Sequence, residues 1–341
     1  MILIDAIYIN NGGGKVLLDY LICELEKTDT KIFYLLDSRV RDKHQAIKSK
    51  NQIYYLEAGI SRRYSFYKNR TAEFSKVFCF GNLPPNIKLT SVVYTYFHNP
   101  MYLDVPKEFS ILDRIKFQIK IMVLRHFKVN TSFWFVQSSL IKLKLQKKFN
   151  IHPDQVKVLP FYEQFGSLTE DIIREKFTYI YVSNGTPHKN HERLIDAFCQ
   201  FYNRNQKGKL ILTLAGDYSY LLNLISEKVR EGYPIENIGY VDRDTLHEQY
   251  LKSEFLIFPS LTESFGLGLI EAIECGCKVI GADLPYTYEI CKPSVTFDPI
   301  STNSIINAFE KTLNEEIRET IPEIKNNVQE LINIVTSAKN I

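Results

Sequence analysis

No two of the six cysteines form a Cys-x-x-Cys pair; they stand scattered at 23, 79, 199, 275, 277 and 291. That spacing argues against a zinc site and against a disulfide framework, and reads as reduced thiols in a cytoplasmic protein. No run approaches the ~20 apolar residues needed to cross a bilayer. The apolar start, Met1 to Ile9, is short, contains Asp5 and lacks a cationic n-region, so no secretory signal is expected. No pair of acids stands at a strand end to hold a divalent cation, so no metal and no cofactor are expected. Acidic residues are absent from Arg114 through Pro153, where Arg114, Lys116, Lys120, Arg125, Lys128, Lys142, Lys144, Lys147 and Lys148 accumulate, although the net charge is only +3. A patch at 114–148 suits an anionic membrane surface or a pyrophosphate-linked acceptor. Nucleic acid is not the expected partner, because no RNP, zinc-finger or helix-turn-helix pattern accompanies the bases.

What is present is enough for two domains: 341 residues, of which 45% are apolar. Ile2 to Ile9 reads as a first strand. Asn10-Asn11-Gly12-Gly13-Gly14-Lys15 follows as a glycine turn before a helical run from Val16, a place where a phosphate or sugar can lie against backbone N–H groups. It is not a Walker A loop, since Val16 and Ile9 occupy positions that need Ser/Thr and Gly. It also departs from GxGxxG, although Asp37, after a strand from Lys31 to Leu36, lies about where a dinucleotide-binding acid would. Strands are predicted at Val77 to Phe80, Ser91 to Tyr96, Phe133 to Gln137 and Lys157 to Leu159. His98 falls at the carboxyl end of the second of these, where α/β proteins bind ligands. Ile111 to Lys128 carries Ile111, Ile115, Ile119, Met122, Val123 and Phe127 between bases. That pattern fits a core-facing helix with a solvated basic side, or a helix on a membrane surface. Glu163 to Thr178 reads as the connection between domains.

The second half repeats the rhythm, with strands at Tyr179 to Ser183, Leu210 to Ala215 and Lys278 to Gly281, a helix from Glu192 to Asn203, a loop from Asp283 to Glu289 after the last of these strands, and an apolar helical stripe of Ile324, Val328, Leu331, Ile332 and Val335 after Pro322. The loop 184–190 puts Lys189 beside that helix start, where it could neutralise a diphosphate. The densest signal is Phe255 to Cys277. A short apolar run reads as a buried strand ended by Pro259 and Ser260, and a helix opens near Gly266. Strand, loop and helix N-terminus, with glycines where a Cβ would obstruct, make an anion site. Glu263 and Glu271 bracket it; eight helical steps would span ~12 Å, too far to attack one bond from both sides. They suit opposite ends of one elongated ligand, a nucleotide sugar, whose ribose hydroxyls match a carboxylate acceptor.

Glu263-Ser264-Phe265-Gly266 followed by Glu271-Ala272 resembles the E-x7-E signature of retaining, family 4 type glycosyltransferases with the GT-B fold. The resemblance implies two facing Rossmann-like domains with a central cleft: residues 1–165 for the acceptor, residues 166–321 for the nucleotide sugar, and a helix within 322–341 returning to the first. It implies metal-independent transfer to a saccharide or lipid-linked saccharide acceptor, as in surface polysaccharide assembly, at the inner face of the cytoplasmic membrane. In that pattern Glu263 orients the sugar, Gly266 and Leu267 supply N–H groups, Glu271 binds ribose, and His98 supports the charge developing on the sugar. Lys189 takes the leaving diphosphate. Asn184 stands where the family usually has Arg. Gly13, Gly14, Gly216, Tyr240, Val241 and Phe265 complete the expected donor contacts, and Glu289 matches a position near the ligand. A nucleotide-sugar epimerase of the same fold and a non-catalytic membrane-surface subunit of a polysaccharide complex are the alternatives.

Overall fold

The computed structural model describes residues 1–41, 47–106, 109–166 and 172–337. The chain divides into two units, Met1–Glu163 with Lys325–Ile341, and Gln164–Ile324.

In the first unit the order is β1 (Ile2–Ala6), α1 (Gly12–Glu26), β2 (Ile32–Asp37), β3 (Gln52–Leu56), α2 (Ile60–Arg70), β4 (Lys76–Cys79) and β5 (Val92–Phe97). Then come α3 (Ile111–Phe127), β6 (Phe133–Val136), α4 (Ser139–Phe149) and β7 (Val156–Val158). The strands form one seven-stranded sheet, β3-β2-β1-β4-β5-β6-β7, parallel at every pairing. Strands β1, β2 and β4 are buried at every position, as a parallel sheet covered on both faces requires. Ser138 caps α4 by accepting from the Ile141 N–H.

The second unit runs β8 (Glu175–Tyr181), α5 (His191–Asn205), β9 (Lys209–Leu212), α6 (Ser219–Arg230), β10 (Ile235–Asn237), α7 (Arg243–Lys252) and β11 (Ser253–Phe258). It continues with α8 (Leu267–Glu274), β12 (Lys278–Ala282), α9 (Pro285–Ile290), β13 (Cys291–Lys292), β14 (Val295–Phe297), α10 (Thr302–Asn314) and β15 (Ile321–Pro322). Its six-stranded sheet, β10-β9-β8-β11-β12-β14, is again parallel; β13 and β15 form a small antiparallel pair. Both sheets wind outward from one switch point, the doubly wound pattern of Rossmann-like domains.

The last helix, α11 (Val328–Thr336), packs in the first unit. Val328, Leu331, Ile332 and Val335 are buried, while Ile324, expected in the same stripe, lies before the helix. Lys76 caps its far end, donating to the carbonyls of Ile334 (3.0 Å) and Ser337 (2.8 Å).

Four expectations need correction. Helix α1 starts at Gly12, so Gly13 and Gly14 lie in its first turn and not in a preceding loop; Gly12 takes a φ of +62°, which a glycine reaches without a Cβ penalty. The stretch Glu163 to Thr178 is not all connection, because β8 begins at Glu175; its residues 167–171 lie outside the described residues. Asp283 to Glu289 is not one loop, since Pro285 supplies a fixed φ at the first turn of α9, placing Glu289 on a helix. On α3, Val123 and Phe127 of the predicted stripe pack half-buried against the core beside the buried Ile121 and Leu124, whereas Ile111, Ile115, Ile119 and Met122 are exposed, so most of the stripe does not face the core.

Candidate active site

In the second unit the strand order reverses between β8 and β11, the place where open parallel sheets bind ligands beyond their strand ends. The loops leaving these two strands are fastened together. The Leu261 N–H donates to the His188 carbonyl (2.8 Å), and the Tyr181 hydroxyl reaches the Lys189 carbonyl and the Ser260 hydroxyl, each at 2.9 Å. Asn190, left-handed at φ 63°, donates its amide to the carbonyls of Pro259 (3.2 Å) and Pro299 (2.8 Å). Asn is among the few residues that accept this conformation readily.

This clamp brings Lys189 Nζ to 2.5 Å from Glu263 Oε1, with the two side chains 14% and 11% exposed. Two residues given separate tasks by the sequence are therefore one ion pair. Each charge offsets the desolvation of the other. Directly beyond, Gly266 holds φ +72° as the N-cap of α8, and no side chain caps that helix. Its first N–H groups are left to solvent or to an anion, with the positive end of the dipole behind them. At Gly268 a Cβ would come within 3.4 Å of the Tyr250 hydroxyl and 3.5 Å of the Val182 carbonyl, so the helix sits close over the sheet.

Glu271, in the second turn of α8, is only 4% exposed. Arg243 Nη1 lies 2.9 Å from one carboxylate oxygen, and the Tyr250 hydroxyl donates to the other at 3.4 Å. Burial raises the Glu271 pKa, and Arg243 works against that rise. Arg243 itself stacks 4.5 Å over the ring of Phe165, which also stacks with His247.

In the first unit, His98 follows β5 and stacks on Phe80, ring centroids 4.9 Å apart. Its Nε2 lies 2.9 Å from the Phe80 carbonyl, so Nε2–H donates there and Nδ1 is left as an acceptor. Burial pushes its pKa down to about 4, against the raising effect of that hydrogen bond. The ring is neutral near pH 7. Asn82 accepts from the His98 N–H at 2.6 Å, and a Cβ at Gly14 would stand 3.1 Å from His98 Cε1. Gly14 is thus needed where α1 approaches this histidine. The loop carrying Asn82 is held by Arg63, buried beside Asp5 (2.8 Å) and donating to the carbonyls of Leu83 (2.9 Å) and Pro84 (2.7 Å).

The other expected residues are placed as follows. The Phe265 ring is 4% exposed and belongs to the interior, so a ligand would meet its backbone. Asn184 turns its carboxamide oxygen onto Thr186, at 2.6 Å from the hydroxyl, and shapes its own loop. Gly216 follows β9 with no atom within 4 Å of a Cβ position. Gly13 is open in the same sense. Tyr240 is 87% exposed and Val241 beside it is half-buried. Asp37, the dinucleotide-like acid, is taken up by Arg39 at 2.9 and 2.6 Å. Arg243, Tyr250, Tyr181, Asn190 and Arg63 were missed. Each acts on a partner far away in the sequence, and only the Asp242 cap before Arg243 leaves a local trace. Among the described residues no cluster of His, Cys, Asp and Glu is arranged to hold a metal ion.

The whole fold is that of GT-B glycosyltransferases. It superposes on WaaG, a glycosyltransferase involved in lipopolysaccharide biosynthesis, with a TM-score of 0.72 at 14% identity, over 99% of this chain and 100% of that one. Residues 169–330, a little under half of the chain, match the family model of glycosyl transferases group 1. The O-antigen chain mannosyltransferase B of Escherichia coli is 26% identical over 142 residues, covering 40% of this chain and 37% of its own length. The alpha-monoglucosyldiacylglycerol synthase of Acholeplasma laidlawii is 27% identical over 154 residues, covering 42% and 38%. The match therefore spans little more than a third of the length of these curated relatives.

Proposed function

We propose that this protein transfers a sugar from a nucleotide-sugar donor to a hydroxyl of a saccharide or lipid-linked saccharide acceptor, with retention and without a metal. The observation that carries the reading is the Lys189–Glu263 pair at the uncapped start of α8. When a diphosphate arrives, Lys189 exchanges its carboxylate partner for phosphate and the helix amides take up further negative charge. Glu263 is then released to accept the hydroxyls of the sugar. Neither charge is left alone in the resting site, so both are stored ready for use. Glu271, one turn further along, accepts the ribose hydroxyls. His98, neutral, presents Nδ1 to a sugar hydroxyl or to the centre that gains positive charge as the leaving group departs. A front-face reaction, in which a donor phosphate oxygen takes the acceptor proton, needs no second carboxylate on the opposite face. The acceptor class is supported by relatives that build O-antigen chains and a glycosyl diacylglycerol.

A panel of UDP, GDP, ADP, CMP and dTDP sugars, read by thermal shift and by transfer, tests this. One nucleotide series should raise the melting temperature, since a ligand that binds only the folded state stabilises it. Lys189→Ala should abolish that rise. Glu263→Gln should keep it but slow transfer by about a hundredfold. Unchanged donor hydrolysis and transfer in both variants would show the assignment to be wrong.

A further inference from the structure

Helix α3 presents an apolar face to solvent. Ile111 is 75% exposed, Leu112 70%, Ile115 52%, Ile119 51% and Met122 61%. At 3.6 residues per turn these five fall within one sector of about 100°. Arg114 and Arg125 border that sector on one side and Lys116 on the other, while Lys120 turns toward the inward side, its Nζ 4.9 Å from the Phe117 ring centroid. The inward side carries Ile121 and Leu124, buried, with Phe117 half-buried. Within the helix the sole acid is Asp113, paired with Lys116 at 3.0 Å; His126 is the polar residue inside the apolar sector. Monomeric proteins rarely leave such a contiguous row uncovered. At 17 residues the helix is about 25 Å long and too basic to cross a bilayer.

We propose that α3 lies flat on an anionic lipid bilayer, its five apolar side chains entering the headgroup–acyl boundary and the bases on its two borders, Arg114 and Arg125 above all, meeting lipid phosphates. Charge decides the occupant. A second copy docked on this face would set bases against bases, whereas acidic headgroups complement both borders at once. On α4, Lys148 is turned inward to the Leu103 carbonyl, whereas Lys144 and Lys147 are exposed. Vesicle binding needs no donor, so the proposal stands or falls apart from the catalytic reading.

The full chain should be sedimented with vesicles of phosphatidylcholine alone and with an equal share of phosphatidylglycerol, at low and high salt. Partition onto the anionic vesicles should be at least tenfold stronger and should weaken with salt. Arg114→Ala with Arg125→Ala should lower it about fivefold for each charge removed. Ile115→Glu with Ile119→Glu should lower it at least tenfold, while circular dichroism and the donor-induced thermal shift stay as in the parent. Failure of the parent to bind anionic vesicles at either salt, or undiminished binding by the Ile115/Ile119 variant, would overturn the proposal. So would a concentration-dependent dimer that this variant dissolves, because the face would then belong to a second copy.

Discussion

At the scale of single residues, the acids of the E-x7-E pattern differ in how they are held. Glu263 is paired across two loops with a lysine that can move to a ligand, whereas Glu271 is fixed from α7 by Arg243 and Tyr250. A carboxylate as buried as Glu271 would resist ionisation without a cation beside it. In the proposed function, ribose hydroxyls use that charge as their acceptor. Arg243→Leu should therefore raise the KM for donor about tenfold, the size of one lost charge-assisted hydrogen bond, with kcat within about twofold. Arg243→Lys should recover part of the loss. Initial rates across donor concentration separate these outcomes, with Glu271→Gln as control. If Glu271→Gln leaves KM unchanged the ribose role fails, and if only Arg243→Leu is silent the support from α7 fails. The two acids stand out in the sequence through their spacing and the motif that it resembles; Arg243 does not, because 28 residues separate it from Glu271.

Among elements, α8 shows how much a turn decides. Gly266 sits at φ +72°, and a Cβ there would stand 3.0 Å from Leu269 Cδ1. Gly266→Ala should cost about 1 kcal/mol or more, from left-handed strain and the close contact together. Thermal unfolding should register this as a fall of a few degrees, and donor binding should weaken as the first amides of α8 tilt. An unchanged melting temperature would show that the turn relaxes without cost. The glycine and the helix start were readable because Pro259 and Ser260 end the strand before them. For α3 the periodicity was legible in the sequence but its direction was not. A stripe with bases on both borders fits core or bilayer equally well, and only the burial of Ile121 and Leu124 shows which side is inside.

At the scale of the whole molecule, three histidines report on both units. Burial is the first cause that pushes His98, His188 and His191 down to about 4. For His188 the Lys189 charge adds to the fall and Glu263 opposes it; for His191 the hydrogen bond to the Asn184 carbonyl opposes it and Lys189 adds to it. A depressed folded pKa means that the unfolded chain takes up protons first. The stability from these groups is complete above the ordinary histidine value near 6.5 and is lost as pH falls toward 4. Urea unfolding at pH 7 and pH 5 should show a loss on the order of 1 kcal/mol for each histidine. A pH-independent midpoint over that range would refute the burial argument. By itself the sequence determined two parallel α/β domains and the strand, turn and helix start around Gly266, because strand periodicity and turn glycines are local properties; the tasks proposed for Glu263 and Glu271 rest on the resemblance of that stretch to a known motif. Only the tertiary structure decided that Lys189 and Glu263 neutralise each other, that Arg243 holds Glu271 and that Arg63 braces the loop beside His98. It also turned the apolar side of α3 outward. These are pairings between segments tens of residues apart, and their register is set by packing around two buried sheets, which no short stretch of chain encodes.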